Sequence, residues 1–369
     1  MHSNPSQRID LKGLAQVLGL SMTTVSRALN GYSDVSEKTR RRVEKQARLL
    51  GYTPNAQARR LTSGMTETIG FVLGDVSGYY DDPYFAQLLA GMSEVLTRLN
   101  YDLVISTRGA GGDPLGGYRR LVDERRVDGI VLDRTRRDDE RIAFLLEAGM
   151  PFVSFGRSEV SGDHAFLDAD CEEAGYIATR RLLGLSHRRI AFLGAPRGYM
   201  FNHLRLRGYE RALNEAGLDI DPQLVTVTAY EEEGSFHAAT GLLRLDHPPT
   251  AIVCIDDMAA MGAIVAVRSE GLEVGEDVSI IGYNDIAPAA LMDPPLTTVR
   301  IDSRAAGRRL AEMLLAVIAG RPASVFQEVW APTLVVRSSD GPAFASRLYP
   351  TGTPPLATTP DQPLPAGEA

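Results

Sequence analysis

Residues 9–55 read IDLKGLAQVLGLSMTTVSRALNGYSDVSEKTRRRVEKQARLLGYTPN, and three short helices with their start and stop signals fit into them. Asp10 can cap Leu11 to Leu18, where Leu11, Leu14, Ala15 and Leu18 share a face at helical spacing and Gly19 breaks the run. Ser21 caps a second helix, Met22 to Leu29, with Val25 and Leu29 inward, ended by Asn30-Gly31. Ser36, followed by Glu37, caps a third, with Val43, Ala47 and Leu50 inward and Gly51 as its stop. Two short helices joined by a turn at Gly19 and backed by a third make a helix-turn-helix.

In that arrangement the N-terminus of the second helix enters the major groove. Met22, Thr23 and Arg27 are then the residues that meet base edges: Arg27 can donate twice to guanine, and the methyl groups of Met22 and Thr23 suit thymine. Ser21, Thr24 and Ser26 are suited to phosphates, which set register. Charge agrees. Residues 1–64 hold eleven Lys or Arg against four acids, a balance of +7, so the net −8 of the chain leaves −15 for the remainder. A basic block ahead of an acidic body is the footprint of a DNA-binding module on a domain that should not itself bind DNA.

These residues resemble the DNA-binding headpiece of the lactose/galactose repressor family, most specifically in TTVSRALNG and VSEKTRRRVEKQARLLGYTPN. One departure is Gly13, where the family commonly carries an acid. The resemblance adds Asn30 and Asn55 to the DNA-contacting candidates and implies that AQARRLTSG, after Asn55, is a hinge helix pairing with its copy from a second subunit in the minor groove. Arg59 lies there, and Leu61 matches the family's intercalating leucine. The segment is too short to be a stable helix alone and should order only on a partner.

At 369 residues the chain is long enough for two or three domains, with an ordinary 44% hydrophobic and 23% charged residues. Cys171 and Cys254 stand alone in apolar stretches, as reduced core residues of a cytoplasmic protein do. No membrane span or secretory leader is apparent. From Ile69 onward, apolar runs (IGFVL, DLVIST, GIVLD, PFVSF, RIAFLG, AIVCI, VSIIGY) alternate with helix-length segments. Such alternation means parallel sheets with helices on both faces. The expected fold is a small all-α headpiece plus an α/β body of two doubly wound lobes, which the resemblance gives as periplasmic-binding-protein type. Expected boundaries are 1–55 for the headpiece, 56–66 for hinge and linker, 67–339 for the body and 340–369 for a disordered proline-rich tail. An enzyme reading finds no support: Gly109 and Gly111 begin a dinucleotide pattern, but Pro114 takes the third glycine position with no helix expected there, and no GxxxxGK[ST], GxSxG or HExxH occurs. No cofactor or metal is expected.

Ligands of doubly wound sheets sit at the carboxyl ends of strands. Carried over from the family one position at a time, the cleft candidates are Tyr84, Phe85, Asp133, Arg205, Asp256 and Asn284. Arg134, Arg157 and Tyr230 are further candidates. Asp256 stands where an asparagine is common and Asn284 where an aspartate is common, so the site keeps one carboxylate and one amide at exchanged places. Asp257 reads as the cap of the helix that follows. Aromatic faces beside Asp, Asn and Arg suit a polyhydroxylated ring, and GYYDDP resembles family members associated with glucosides. The expected function is a cytoplasmic, homodimeric repressor of carbohydrate genes, released from a palindromic operator by a sugar. The alternatives are a corepressor-dependent regulator with a non-sugar ligand such as a purine and, more remotely, a solute-binding transport protein.

Overall fold

The computed structural model describes residues 9–29, 32–52, 64–73, 82–107, 113–227 and 232–343, without the side chains of 232 and 233. The chain divides into two compact units between Glu67 and Thr68. The first contains α1 (Leu11–Leu18), α2 (Met22–Leu29) and α3 (Glu37–Leu49). Each start signal operates: Asp10 accepts from Gly13 N at 2.7 Å, Ser21 from Thr24 N at 3.0 Å and Ser36 from Thr39 N at 3.2 Å. Leu14, Ala15, Leu18, Val25, Ala28, Val43 and Ala47 make the core. Leu50, expected inward, lies past the end of α3 and is exposed. Ala28 is the buried residue of the last turn of α2, and Leu29 only half-buried, because the inward face of this short helix is narrow.

The second unit holds two six-stranded sheets. The first lobe contains β1 (Thr68–Leu73), α4 (Pro83–Arg98), β2 (Asp102–Thr107), α5 (Gly116–Asp123), β3 (Gly129–Leu132), α6 (Glu140–Glu147), β4 (Phe152–Phe155) and β5 (Ala165–Ala169). The chain then crosses into α7 (Cys171–Gly184), β6 (Ile190–Gly194), α8 (Met200–Glu215), β7 (Val225–Val227), α9 (Glu232–Leu243), β8 (Ala251–Cys254), α10 (Asp257–Ser269), β9 (Ser279–Tyr283) and β10 (Thr297–Arg300). It returns for α11 (Ser303–Ile318) and β11 (Gln327–Trp330), and crosses once more for β12 (Thr333–Val335). The strand orders are β11-β5-β4-β3-β1-β2 and β12-β10-β9-β8-β6-β7, parallel throughout except for the β10–β12 pair. Order reverses between β1 and β3 in one lobe and between β6 and β8 in the other, and these are the places where such sheets open a crevice.

Each lobe has a core of strand residues under helices, such as Phe71, Val131, Val153, Leu88 and Leu310 in the first and Phe192, Ile252, Ile281, Ala263 and Tyr209 in the second. In each lobe two helices cross at glycines. A Cβ on Gly91 would stand 2.0 Å from Arg304 O and one on Gly307 2.1 Å from Leu88 O, which fixes α4 on α11. Gly175 and Gly208 do the same for α7 on α8.

Two expectations are corrected. The residues from 340 to 343, assigned to the tail, belong to the second lobe: Asp340 is buried against Arg181 at 2.7 Å, and Ala343 N donates to Leu185 O at 3.0 Å. A helix does open after Pro114, at Gly116, although the third glycine is still missing and residues 108–112 lie outside the described residues.

Candidate functional site

A cleft between the lobes is lined from the carboxyl ends of strands of both sheets, and its open space, continuous with solvent, is about 670 Å³. From the first lobe come Asp82 and Tyr84 after β1, Asp133 and Arg134 after β3, Phe155 and Arg157 at the end of β4, and Asp168 on β5. From the second come Phe201 and Arg205 on α8, Asp256 after β8, and Tyr283 and Asn284 at the end of β9.

The polar groups in the cleft hold one another. Arg134 reaches Asp82 at 3.3 Å, and Arg157 reaches Asp168 at 2.5 Å. Arg205 donates to Ile255 O and lies over the Tyr283 ring, 3.3 Å from its centroid, with the Phe201 ring centroid at 5.2 Å. Tyr84 stacks on Phe155 at 6.1 Å with an interplanar angle of 13°. Burial raises the Asp82 carboxyl to about 6, with Asp256 adding to the rise and Arg134 opposing it. Burial also raises Asp133, Asp168 and Asp256 above the usual carboxylate range, against the pull of the nearby arginines. Carboxylates held in this way are strong acceptors facing a cleft whose donors come from three guanidiniums and an amide. Two of these residues sit in left-handed backbone, Arg134 at φ 49° and Asn284 at φ 109°. Such strain collects where the surrounding structure aims a side chain at a site.

Tyr84, Asp133, Arg134, Arg157, Arg205, Asp256 and Asn284 are brought together in the lining of one cleft. Phe85 does not: it is one step further round α4, buried in the first lobe and 5.2 Å from the ring of Phe71. Tyr230 lies outside the described residues. The cap read for Asp257 is made by Asp256 instead. Asp256 is the cap of α10, accepting from Ala259 N at 2.7 Å while lining the cleft. Asp257 points into the lobe, accepting from Ile286 N at 2.8 Å and Thr298 Oγ1 at 2.6 Å, and burial pushes its carboxyl up to about 7. Sequence reasoning missed Asp82, Phe155, Asp168, Phe201 and Tyr283. Asp82 had a signal, an acid directly before a proline that opens a helix; it accepts from Tyr84 N at 3.0 Å.

The headpiece presents a second site. Met22 and Thr23 are exposed at the start of α2, with Thr24 and Ser26 half-buried beside them. Ser21 and Thr24 hydroxyls bond each other at 2.8 Å as well as closing the cap. Arg27 is exposed one turn later and pairs with Asp34. Asn30, Asn55, Arg59 and Leu61 lie outside the described residues. Among the described residues no helix is long and apolar enough to cross a membrane, and no cluster of His, Cys, Asp and Glu could hold a metal.

A helix-turn-helix joined to a two-lobed body with a ligand cleft defines a ligand-responsive DNA-binding regulator. Comparison with known proteins gives the family. Residues 10–55 match the model of bacterial regulatory proteins of the lacI family, and residues 179–339 match the periplasmic binding protein-like domain. The HTH-type transcriptional regulator AglR of Rhizobium meliloti is 38% identical over 353 residues, covering 94% of this chain and 98% of that protein. RafR of Escherichia coli is 35% identical over 326 residues, or 88% and 96%. Two solved structures are similar: the CelR–cellobiose complex, at 30% identity with a TM-score of 0.68 over 90% of this chain and 100% of that one, and the lac repressor dimer bound to operator and the anti-inducer ONPF, at 26% identity with a TM-score of 0.79 over 91% and 100%. The chain belongs to the LacI family of transcription regulators, whose members bind operator DNA and a small-molecule effector and are not enzymes.

Proposed function

We propose that this regulator is a cytoplasmic homodimer that represses carbohydrate-utilisation genes and leaves a palindromic operator when a sugar binds between the lobes. The observation that carries the sugar assignment is the composition of the cleft: Asp82, Asp133, Asp168 and Asp256 as acceptors, Arg134, Arg157 and Arg205 as donors, Asn284 as both, and the faces of Tyr84, Phe155 and Phe201 among them. Vicinal hydroxyls both donate and accept, so such a set can satisfy them, while the C–H face of a sugar ring lies on an aromatic. The cellobiose held by CelR supports the class and puts glucosides first in the panel. In this reading Met22, Thr23 and Arg27 meet base edges, Ser21, Thr24 and Ser26 meet phosphates, and Asn30, Asn55, Arg59 and Leu61 complete the DNA contacts. Residues 56–66 serve as hinge.

Dimerisation is supported by β2. It is an edge strand paired with β1, and its Val104 and Ile105 are 41% and 45% exposed. An apolar edge of this kind is ordinarily covered, and a second copy of the chain covers it symmetrically. Calorimetric titration of a panel of glucosides, other sugars and purines, on the wild type and on Arg205→Ala, tests the proposal with operator binding followed in parallel. A sugar should bind the wild type and lower operator affinity, and Arg205→Ala should lose that response and keep the operator. Binding of a purine with every sugar silent overturns the sugar assignment.

A further inference from the structure

On the recognition surface of a DNA-binding headpiece, a carboxylate near phosphates opposes the counterion-driven affinity that basic residues supply. Here Asp34 stands on that surface. Together with Ser21, Thr23, Thr24, Arg27 and Thr39 it lines one shallow polar concavity. Its carboxylate takes the side edge of the Arg27 guanidinium, with Arg27 Nε donating to Oδ1 at 3.1 Å and Nη2 lying 2.8 Å from Oδ2. The Tyr32 ring supports the same guanidinium, its centroid 4.9 Å from Cζ.

The loop that carries Asp34 is itself fixed. Tyr32 N donates to Arg27 O at 3.1 Å, Val35 N to Tyr32 O at 3.3 Å and Arg40 Nη2 to Tyr32 O at 2.9 Å. Val35 is in the core, and Ser36 caps α3. The carboxylate is thus a built part of the headpiece rather than the end of a loose side chain. An arginine offers five N–H donors in one plane. Asp34 takes Nε–H and one hydrogen of Nη2, which leaves it no hold on the outer fork, made of Nη1 and the other hydrogen of Nη2. That outer fork is the edge that matches O6 and N7 of guanine.

We propose that Asp34 is a positioning residue for operator reading: it holds the inner edge of Arg27, with Tyr32 as backing, so that the outer fork is presented to guanine. This rests on Arg27 reading a base. Holding the fork in place reduces the side-chain freedom lost on binding the correct base. The same carboxylate weakens contact with DNA of any sequence by repelling phosphate. Asp34 therefore trades general affinity for discrimination.

The test uses the full-length protein in a binding selection on randomised half-sites at two salt concentrations. It compares wild type, Asp34→Ala, Asp34→Asn, Arg27→Ala and the Asp34→Ala/Arg27→Ala pair. Wild type should favour guanine at one half-site position, and Arg27→Ala should lose that preference. Asp34→Ala should weaken the same preference roughly five- to tenfold and raise affinity for unrelated DNA. Asp34→Asn, which keeps one acceptor, should fall between. The double variant should read DNA as Arg27→Ala does. Thermal melts, with the near-isosteric Asp34→Asn as the conservative variant, separate a reading defect from a folding defect. Unchanged preference in Asp34→Ala overturns the proposal, as does a change at another base pair that persists in the double variant, which would mean that Asp34 reads a base itself. Unchanged preference in Arg27→Ala overturns the reading of Arg27 on which the proposal stands.

Discussion

Replacing Gly175 by alanine should injure both the fold and the effector response, while the same replacement nine residues later on the same helix should stabilise. A Cβ on Gly175 would stand 2.1 Å from the carbonyl oxygen of Arg205 and 3.0 Å from its Cα. The listener is the backbone of α8, which cannot swing aside as a side chain can. Restoring a contact of about 3.3 Å means moving the helices apart by roughly 1 Å, an overpacking that costs about 2–3 kcal/mol. The residue displaced is Arg205 itself, whose guanidinium is held by Ile255 O and the Tyr283 face. Moving it should cost effector affinity on the order of tenfold or more, since a charged hydrogen bond is worth about 1.5–3 kcal/mol. Gly184 also lies on α7, but nothing stands within 4 Å of its Cβ position, so Gly184→Ala should gain about 0.5 kcal/mol from reduced backbone freedom. Denaturant melts and sugar titrations on the two variants read both effects. If Gly175→Ala melts and binds as the wild type does, the crossing is looser than these distances allow and the argument fails.

Asp257→Asn should stabilise the body at pH 8 more than at pH 6. The Asp257 carboxyl is raised to about 7, so its contribution to stability is full below its unfolded value and is lost as pH rises through about 7. Asparagine can keep both bonds, accepting from Ile286 N and donating to Thr298 Oγ1, without ionising. Buried His164 and His187, lowered by burial, shift stability the other way toward acid pH, but they act equally in both proteins and cancel in the difference. Melting both proteins across pH 6–8 gives that difference, and a value independent of pH would contradict the reasoning. For the hinge, Leu61→Ala should weaken operator binding and reduce bending, because the unstacking wedge is shortened. A gel-shift bend angle and affinity equal to wild type would make the hinge a passive linker.

The headpiece was legible because each helix carries its own start and stop chemistry, and seven of the strands announced themselves as apolar runs. The missed strands are those that break the pattern. In β5, Ala165–Ala169, Asp168 interrupts the apolar run because it lines the cleft and pairs with Arg157, which hides the strand signal. β11 and β12 are edge strands without a fully buried residue, and their membership of different sheets is set by tertiary crossing that no local pattern contains. Phe85 was misplaced because a 100° step round a helix separates cleft from core, and Tyr84 and Phe85 are adjacent. Asp256 and Asp257 pose the same ambiguity: both can cap, and only the direction of the chain leaving β8 decides which one does.

The cleft also bears on which ligands could act. Its mouth is bridged directly, Met200 N donating to Thr135 O at 2.9 Å and Arg137 N to Gly198 O at 3.2 Å, so the lobes hold each other through backbone groups. At about 0.5–1.5 kcal/mol net each, two such bonds bias the lobes together by about 1–3 kcal/mol. Moving a two-state equilibrium from 1:99 to 99:1 takes about 5.5 kcal/mol of differential binding. The bridge is present with or without ligand and sets only the starting ratio, so the whole shift must come from a ligand that touches both lobes. Arg205 and Asp256 stand on one lobe and Asp82, Asp133 and Arg157 on the other. A compound that reaches only one set can bind, but it gains as much from parted lobes as from joined ones, and it shifts nothing.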